Sequence, residues 1–378
     1  MSSEDFSTRM EIIDILNKNV NLFDISMHSS PVSYFPQYLA DRLDRWLDRY
    51  KNIYPTIQSH ALSLNINDKL SPDSIVQFSD GLKISLNLYY EGKVFEATQK
   101  FNLLLNGYKF AEKGSLITIP KNSLTFYRAR KPFKGEANQS TMFHVPFELR
   151  HLVSTARYSI PGLPSLYLGD SAYVCWEELN RPDLKKLLFS KLISTSNLSI
   201  LNIERFEDFT NEVQASKNRI TGLENYIATY PLILACTTRP KYVASSFKAE
   251  YVIPQLLLQY VSAIPFISGI RFPSSKVNYQ QVKFVKSYNY VFPVKSIAEE
   301  GFCKTLKAQF FCSQPISHNL NEILNFGGFS GIIDRVITSD SNRPTLSILN
   351  GRKTPYDETS FGAIESILEN YPPTEVIL

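Results

Sequence analysis

No run of apolar residues in this chain approaches the roughly 18 to 20 needed to cross a bilayer, so a membrane-spanning helix is not expected. Cysteine is scarce, with four residues among 378, at positions 175, 236, 303 and 312. None of them forms a Cys-x-x-Cys pair, and neither a disulfide framework nor a metal site is expected from that spacing. Charge of one sign is also missing in quantity. The formal net charge is +4 and is scattered along the chain, too little to imply a nucleic-acid partner. The N-terminus, Met1-Ser-Ser-Glu-Asp5, has no basic stretch followed by an apolar core, so no signal peptide is expected. A soluble chain in a reducing, cytoplasmic setting follows as the expectation.

What is present is ordinary globular material: 43% hydrophobic residues and 20% charged ones argue against disorder. The length suits one large domain or two ordinary ones and can bury a sizeable core. Residues 1–110 read as helical. Thr8 followed by Glu11 has the spacing of a capping box. Leu39, Leu43, Trp46, Leu47 and Tyr50 recur at the helical period. A third helical region over 82–105 is interrupted near Gly92 and is similar to one tetratricopeptide hairpin. Only one copy is present, where such repeats need stacked neighbours. This hairpin is a candidate partner-binding surface.

From about residue 111 the pattern changes to short β-type runs broken by Pro and Gly. Strands are expected at 116–119, 125–129, 166–169, 198–202 and 269–272. Helices are expected at 171–180, at 210–227 as a polar and exposed segment, and at 254–261 packed in the core. The stretch 276–295 interleaves Lys276, Lys283, Lys286 and Lys295 with Tyr279, Phe284, Tyr288 and Tyr290. Such interleaving can stack bases and contact phosphates. It reads more simply as a β-hairpin with one wet face.

The chemistry concentrates in the segment from Thr155 to Leu179. It holds Arg157, a Pro161-Gly162 turn, a short strand ending near Tyr167, and a helix bearing Glu178. Upstream stands Phe126-Tyr-Arg-Ala-Arg130, and downstream Phe272-Pro-Ser-Ser275. Guanidinium forks suit a pyrophosphate because they donate two parallel charge-assisted hydrogen bonds. Arg128 and Arg157 each lie beside an aromatic on an expected strand; either taken alone reads more simply as a surface ion-pair partner. Asp170 or Ser171 would cap the helix bearing Glu178, and Pro182 would end it. Val174, Cys175 and Glu178 share one helical face, so this carboxylate needs a partner or a function. Its neighbour Glu177 is expected in solvent. Cleaving nicotinamide from NAD suits such a set. The leaving group departs neutral, so the protein must supply orientation and a negative charge near an oxocarbenium-like centre.

Taken together, Phe126-Tyr-Arg128, Ala156-Arg157-Tyr-Ser-Ile-Pro-Gly162, Leu166-Tyr-Leu168, Cys175-x-x-Glu178 and Phe272-Pro-Ser274 resemble the RES-domain family. Its members are named for Arg, Glu and Ser and are familiar as toxins of RES–Xre toxin–antitoxin pairs. The pieces occur in the family's order across roughly residues 120–295. The resemblance implies an α+β fold with an ADP-ribosyltransferase-like split β-sheet core flanked by helices. That catalytic domain would occupy 111–378 behind a helical N-terminal region, 1–110, longer than a compact family member carries. It implies an NAD-consuming toxin or defence effector, a phosphorylase or glycohydrolase, with inorganic phosphate a candidate co-substrate. Alternatives are an ADP-ribosyltransferase acting on a protein, or a non-catalytic NAD-binding module. Residue by residue, it implies that Arg128 and Arg157 grip the NAD phosphates and that Tyr167 lines the nicotinamide-ribose pocket. Glu178 would be the catalytic carboxylate, and Ser274, or Ser275 in the neighbouring register, would bind phosphate or ribose. An antitoxin or regulatory protein is the implied partner.

Overall fold

The computed structural model describes residues 3–23, 34–61, 67–110, 115–132, 137–317, 344–347 and 352–376. The chain forms two compact units, one of residues 1–117, 155–160 and 200–267, the other of 118–154, 161–199 and 268–378. The helical unit thus takes in two later segments of the chain rather than ending near residue 110. Among the described residues no helix is long and apolar enough to cross a membrane.

The first unit is helical. Its N-terminal part comprises α1 (Ser3–Lys18), α2 (Phe35–Ala61), α3 (Asn67–Leu70), α4 (Pro72–Tyr90) and α5 (Val94–Gly107). The periodic residues Leu39, Leu43, Trp46, Leu47 and Tyr50 are all buried along one stripe of α2. Each fully buried side chain of this size contributes about 1.5–3 kcal/mol. Thr8 does not cap a helix: α1 already begins at Ser3, which leaves Thr8 in its interior and buried. The break near Gly92 is present, with that glycine at φ +78° between α4 and α5. The two helices pack closely, and a Cβ on Gly81 would lie 2.6 Å from Leu104 Cδ1.

The later part of this unit carries α7 (Phe206–Ala215), α8 (Leu223–Ala228), α9 (Tyr230–Thr237) and α10 (Val252–Ala263). The single exposed helix expected over 210–227 is instead two helices around a 3-10 segment. Ser216 is extended, which lets α8 fold back so that Tyr226 stacks on Phe209 at 4.5 Å and buries Leu223 and Ile227. Arg9 reaches the buried Glu224 and ties α1 to α8.

The second unit is built on an antiparallel sheet with helices around it, an α+β arrangement. Its strands are β2 (Thr125–Arg130), β3 (Ser165–Gly169), β4 (Leu188–Ser194), β6 (Gly269–Pro273), β8 (Tyr288–Pro293), β9 (Phe310–Cys312), β10 (Ile316–Ser317) and β13 (Thr374–Glu375). Their order is β6-β8-β3-β2-β4-β9-β13, with β10 also on β4. The remaining early strands, β1 (Leu116–Ile119) and β5 (Leu198–Asn202), lie where the chain passes from one unit to the other. A small sheet joins β7 (Val282–Lys283), β11 (Thr345–Leu346) and β12 (Thr354–Pro355). Three helices complete the unit: α6 (Ala172–Glu178), α11 (Lys304–Gln309) and α12 (Ser360–Glu369).

The main sheet has a seam. Strand β3 pairs with β8 along five residues and β2 with β4 along six, yet β2 and β3 share the single pair Tyr127↔Gly169. On one face, Tyr127 and Phe189 join Tyr173, Val174 and Cys175 of α6 and Phe361, Ile364 and Leu368 of α12 in a common core. On the other, Phe126 meets Tyr290, Phe292 and Phe310 edge-on. The expectation of a wet face on the 276–295 hairpin is corrected here, since all six residues of β8 are buried. With Tyr288 and Tyr290 in the interior, that stretch has lost half its candidate base-stacking rings.

Arg157 belongs to the helical unit and is buried there. Its Nη1 donates to the carbonyls of Cys236 and Thr238, at 2.9 and 2.8 Å, and its guanidinium lies over the Tyr251 ring. It therefore satisfies carbonyls at the end of α9 that the helix leaves unpaired. Removing a charged, buried donor of this kind costs about 1.5–3 kcal/mol. The variant Arg157→Ala should lower the urea midpoint of the chain accordingly; an unchanged midpoint would show that these bonds contribute nothing.

Candidate functional site

Glu178 is the last residue of α6, and the local sequence explains how that helix is placed. Ser171 is extended and accepts the Val174 N–H on its hydroxyl, so Ser171 rather than Asp170 is the cap. Asp170 instead binds β8, giving its N–H to Tyr288 O and accepting the Tyr288 N–H, both at 3.0 Å. The helix lies so close to β3 that a Cβ on Gly169 would stand 2.9 Å from Cys175 Sγ. Glycine is required there by proximity. Beyond Leu179 the chain turns through Asn180 and Arg181 at positive φ before Pro182, and Trp176 Nε1 binds Pro182 O.

The two adjacent glutamates exchange the environments expected of them. Glu177 is the buried one, held through both carboxylate oxygens by Arg181 at 2.8 and 2.9 Å. Glu178 is a third exposed. The reason is the left-handed turn after α6, which brings Arg181 back over Trp176 and onto Glu177.

Three residues of other elements meet Glu178. Its Oε1 accepts from Ser274 Oγ at 2.6 Å and from Asn289 Nδ2 at 2.7 Å. Lys276 Nζ donates to the Glu178 carbonyl and stands 3.8 Å from Oε2. Ser274 is fully buried, and its hydroxyl also accepts the Lys276 N–H. Tyr279 OH closes the turn by donating to the carbonyls of Ser274 and Ser287. Oε1 is thus fixed from two strands, while Oε2 has only the ammonium at longer range among the described contacts. The Ser274 hydroxyl is spent on the carboxylate rather than left for a phosphate. Ser275, the neighbouring alternative, is half-buried in the same turn.

Strand pairing places the remaining residues. Gly169 faces Asn289 and Tyr167 faces Val291, so Tyr167 rises from the same face as Asn289, one step along. Tyr167 is half-buried. Arg128 alternates with Tyr127 along β2 and starts from the opposite face. It reaches into the seam, where its Nη1 donates to Tyr167 O at 2.7 Å. Burial, reinforced by the neighbouring Arg130, lowers its guanidinium to about 10, which leaves it charged at neutral pH. Its Nε is buried without a hydrogen-bond partner among the described residues. Arg130 gives its Nη1 to Thr141 O. Burial pushes the Cys175 thiol up to about 12, and its Sγ donates to Tyr127 O.

The fold therefore gathers Glu178, Ser274 and Tyr167 on one side of the second unit's sheet and sets Arg128 in the seam beside them. Arg157 lies in the other unit. In the sequence Lys276 stands out only as one of the interleaved lysines of 276–295, and Asn289 not at all. A signal for Asn289 existed, because an amide inside the apolar strand Tyr288-Asn-Tyr-Val-Phe292 must find a partner once buried.

Under α6, burial raises the Asp170 carboxyl from 3.8 to about 7, against the opposing pull of Arg271 and the Tyr288 N–H. The folded chain then binds this proton more tightly than the unfolded chain does. Its contribution to stability is present below about pH 4 and is lost as pH climbs through about 7. In Asp170→Asn the amide oxygen still accepts from Tyr288. The stability of this variant relative to the parent should rise between those limits, read from urea midpoints across the range. Parallel profiles would show that Asp170 does not titrate there.

No family model and no solved structure matches the chain. A curated protein of Bacillus subtilis (strain 168) described as "Putative toxin YopC" is 31% identical over 322 residues, covering 79% of this chain and 69% of that protein. At that identity across more than two thirds of both sequences, the chain belongs to the same family as YopC.

Proposed function

We propose that this chain is a toxin-like enzyme that cleaves the nicotinamide–ribose bond of NAD. The observation that carries this reading is the Glu178 carboxylate, partly exposed, with one oxygen held by Ser274 and Asn289 and the other 3.8 Å from Lys276 Nζ. Support also comes from the five RES-like motif pieces and from the toxin name of the YopC relative.

In this reading Glu178 Oε2 lies against the ribose, where its negative charge stabilises the oxocarbenium-like centre as nicotinamide departs neutral. The donors on Oε1 fix the carboxylate before reaction, so no reorganisation is needed as charge develops. The Tyr167 ring, on the same face, provides a surface for the nicotinamide or ribose. Arg128, which stays charged at the seam, is the guanidinium this reading assigns to the diphosphate. Arg157, engaged at the end of α9, is left out of this assignment.

Nicotinamide release from NAD by the purified chain, with and without inorganic phosphate, tests the reading. The parent should release nicotinamide. Glu178→Gln, which keeps the shape and an Oε1 acceptor but removes the charge, should lose about 100-fold or more of that rate, the scale on which electrostatic stabilisers act. A rate raised by phosphate would identify phosphate as acceptor. Labelled ADP-ribose attached to protein would mean transfer instead. No release from folded parent protein, or full activity in Glu178→Gln, would overturn the reading.

A further inference from the structure

The C-terminal helix α12 sends one side chain to the start of α6, although 193 residues separate the two positions. Glu365 Oε1 accepts the Ala172 N–H at 2.7 Å and the Tyr356 hydroxyl at 2.5 Å. Ala172 is the first residue of α6, and its N–H is one of those a helix cannot satisfy internally. Val174 N–H is taken by Ser171 Oγ, whose own proton goes to Lys286 O. Glu365 therefore takes one N–H of the first turn of α6 from outside the local sequence, beside Tyr356, whose hydroxyl accepts the Tyr173 N–H.

Glu365 is itself rigidly held. Thr359 caps α12 by accepting the Gly362 N–H. Gly362 lies so near the Tyr356–Glu358 turn that a Cβ would stand 2.5 Å from Tyr356 O. Phe361 packs against Tyr173 and Trp176 of α6 at 5.4 and 5.2 Å.

We infer that Glu365 is a positioning residue for Glu178, fixing through the Ala172 N–H the start of the short helix whose last residue is the carboxylate. The inference rests on Glu178 being the catalytic carboxylate. A helix of seven residues is only about 10 Å long. A small rotation at its first turn moves its last residue by a comparable distance, and displacements near 1 Å can cost about 100-fold in rate. The groups facing Glu365 are Tyr356 from the adjoining turn, Lys286 from the segment before β8, Asp170 at the end of β3, Tyr127 on β2 and Glu369 on its own helix. Burial raises the Glu365 carboxyl, while the Tyr356 and Ala172 donors favour the charged form. Either charge state offers an oxygen to Ala172, so the acceptor matters rather than the charge.

Glu365→Ala, Glu365→Gln and Tyr356→Phe in the full chain separate positioning from bulk stability. Nicotinamide release is measured together with hydrogen exchange of the α6 amides. Glu365→Ala should lower kcat about tenfold or more, with KM for NAD within about twofold, and speed exchange at Ala172 and along α6. Glu365→Gln should restore kcat to within about threefold. Tyr356→Phe, which leaves the core filled, should shift both readouts the same way by less. Unchanged exchange at α6 in Glu365→Ala, or a loss of kcat that the amide fails to restore, would overturn the inference. If the parent releases no nicotinamide, the NAD reading fails, and α6 exchange alone still decides whether Glu365 holds the helix.

Discussion

A carboxylate at the end of a seven-residue helix has no means of holding its own direction. The hydrogen bonds from Ser274 and Asn289 to Glu178 Oε1 are therefore the constraint around which the second unit is arranged. One donor comes from the turn after β6 and the other from β8, so the two strands must keep their register for both to converge. The α6 helix must in turn lie close to β3, and Gly169 is there because any larger residue would meet Cys175 and Val174. Asn289 faces Gly169 across the strand pair. The position that admits the helix and the position that binds its carboxylate are thus a single cross-strand pair.

The polar groups beneath α6 show what such placement involves. Asp170, Glu365 and Tyr356 are ionisable groups drawn into the interior, and burial raises all three. Apolar side chains in their place would leave the Ala172 and Tyr288 N–H groups without these acceptors, a loss of about 1–3 kcal/mol for each buried donor. What they add is direction. The hydrogen bond at Ala172 is directional and ties the start of α6 to Glu365, as that at Tyr288 ties the preceding Asp170 to β8, whereas apolar contacts such as those of Phe361 are not directional.

Much of the fold was legible in the sequence because it rests on local periodicity. The apolar stripe of α2, the break at Gly92 and the strands β1, β2, β3, β5 and β6 follow from spacing and from Gly and Pro placement, whereas β4 was not expected. Features that depend on residues distant in sequence were not legible. Glu177 and Glu178 are chemically identical neighbours, and only the left-handed turn at Asn180 and Arg181 decides which one is buried. Asn289 acquires meaning only when β8 pairs with β3 and β6. Arg157 reads as part of the motif segment, yet its guanidinium closes the end of a helix some 80 residues later, and the segment 155–160 belongs with that helical unit. The division of the chain into units was hidden for the same reason, because contiguous stretches of sequence enter different cores.

The seam between β2 and β3 raises a different point about Arg128. Where two strands part, the backbone groups along the opening lose their ladder partners, and buried ones must be satisfied elsewhere. Arg128 supplies that partner to Tyr167 O while presenting a buried, charged guanidinium at the opening. A lysine could neutralise an anion there, but as a point charge it would lack the fork that serves a carbonyl and a ligand together. The arginine is accordingly structural. The strand carrying Tyr167 is held at the seam by the same side chain to which the proposed reaction assigns the diphosphate, so under that proposal one guanidinium would meet both requirements.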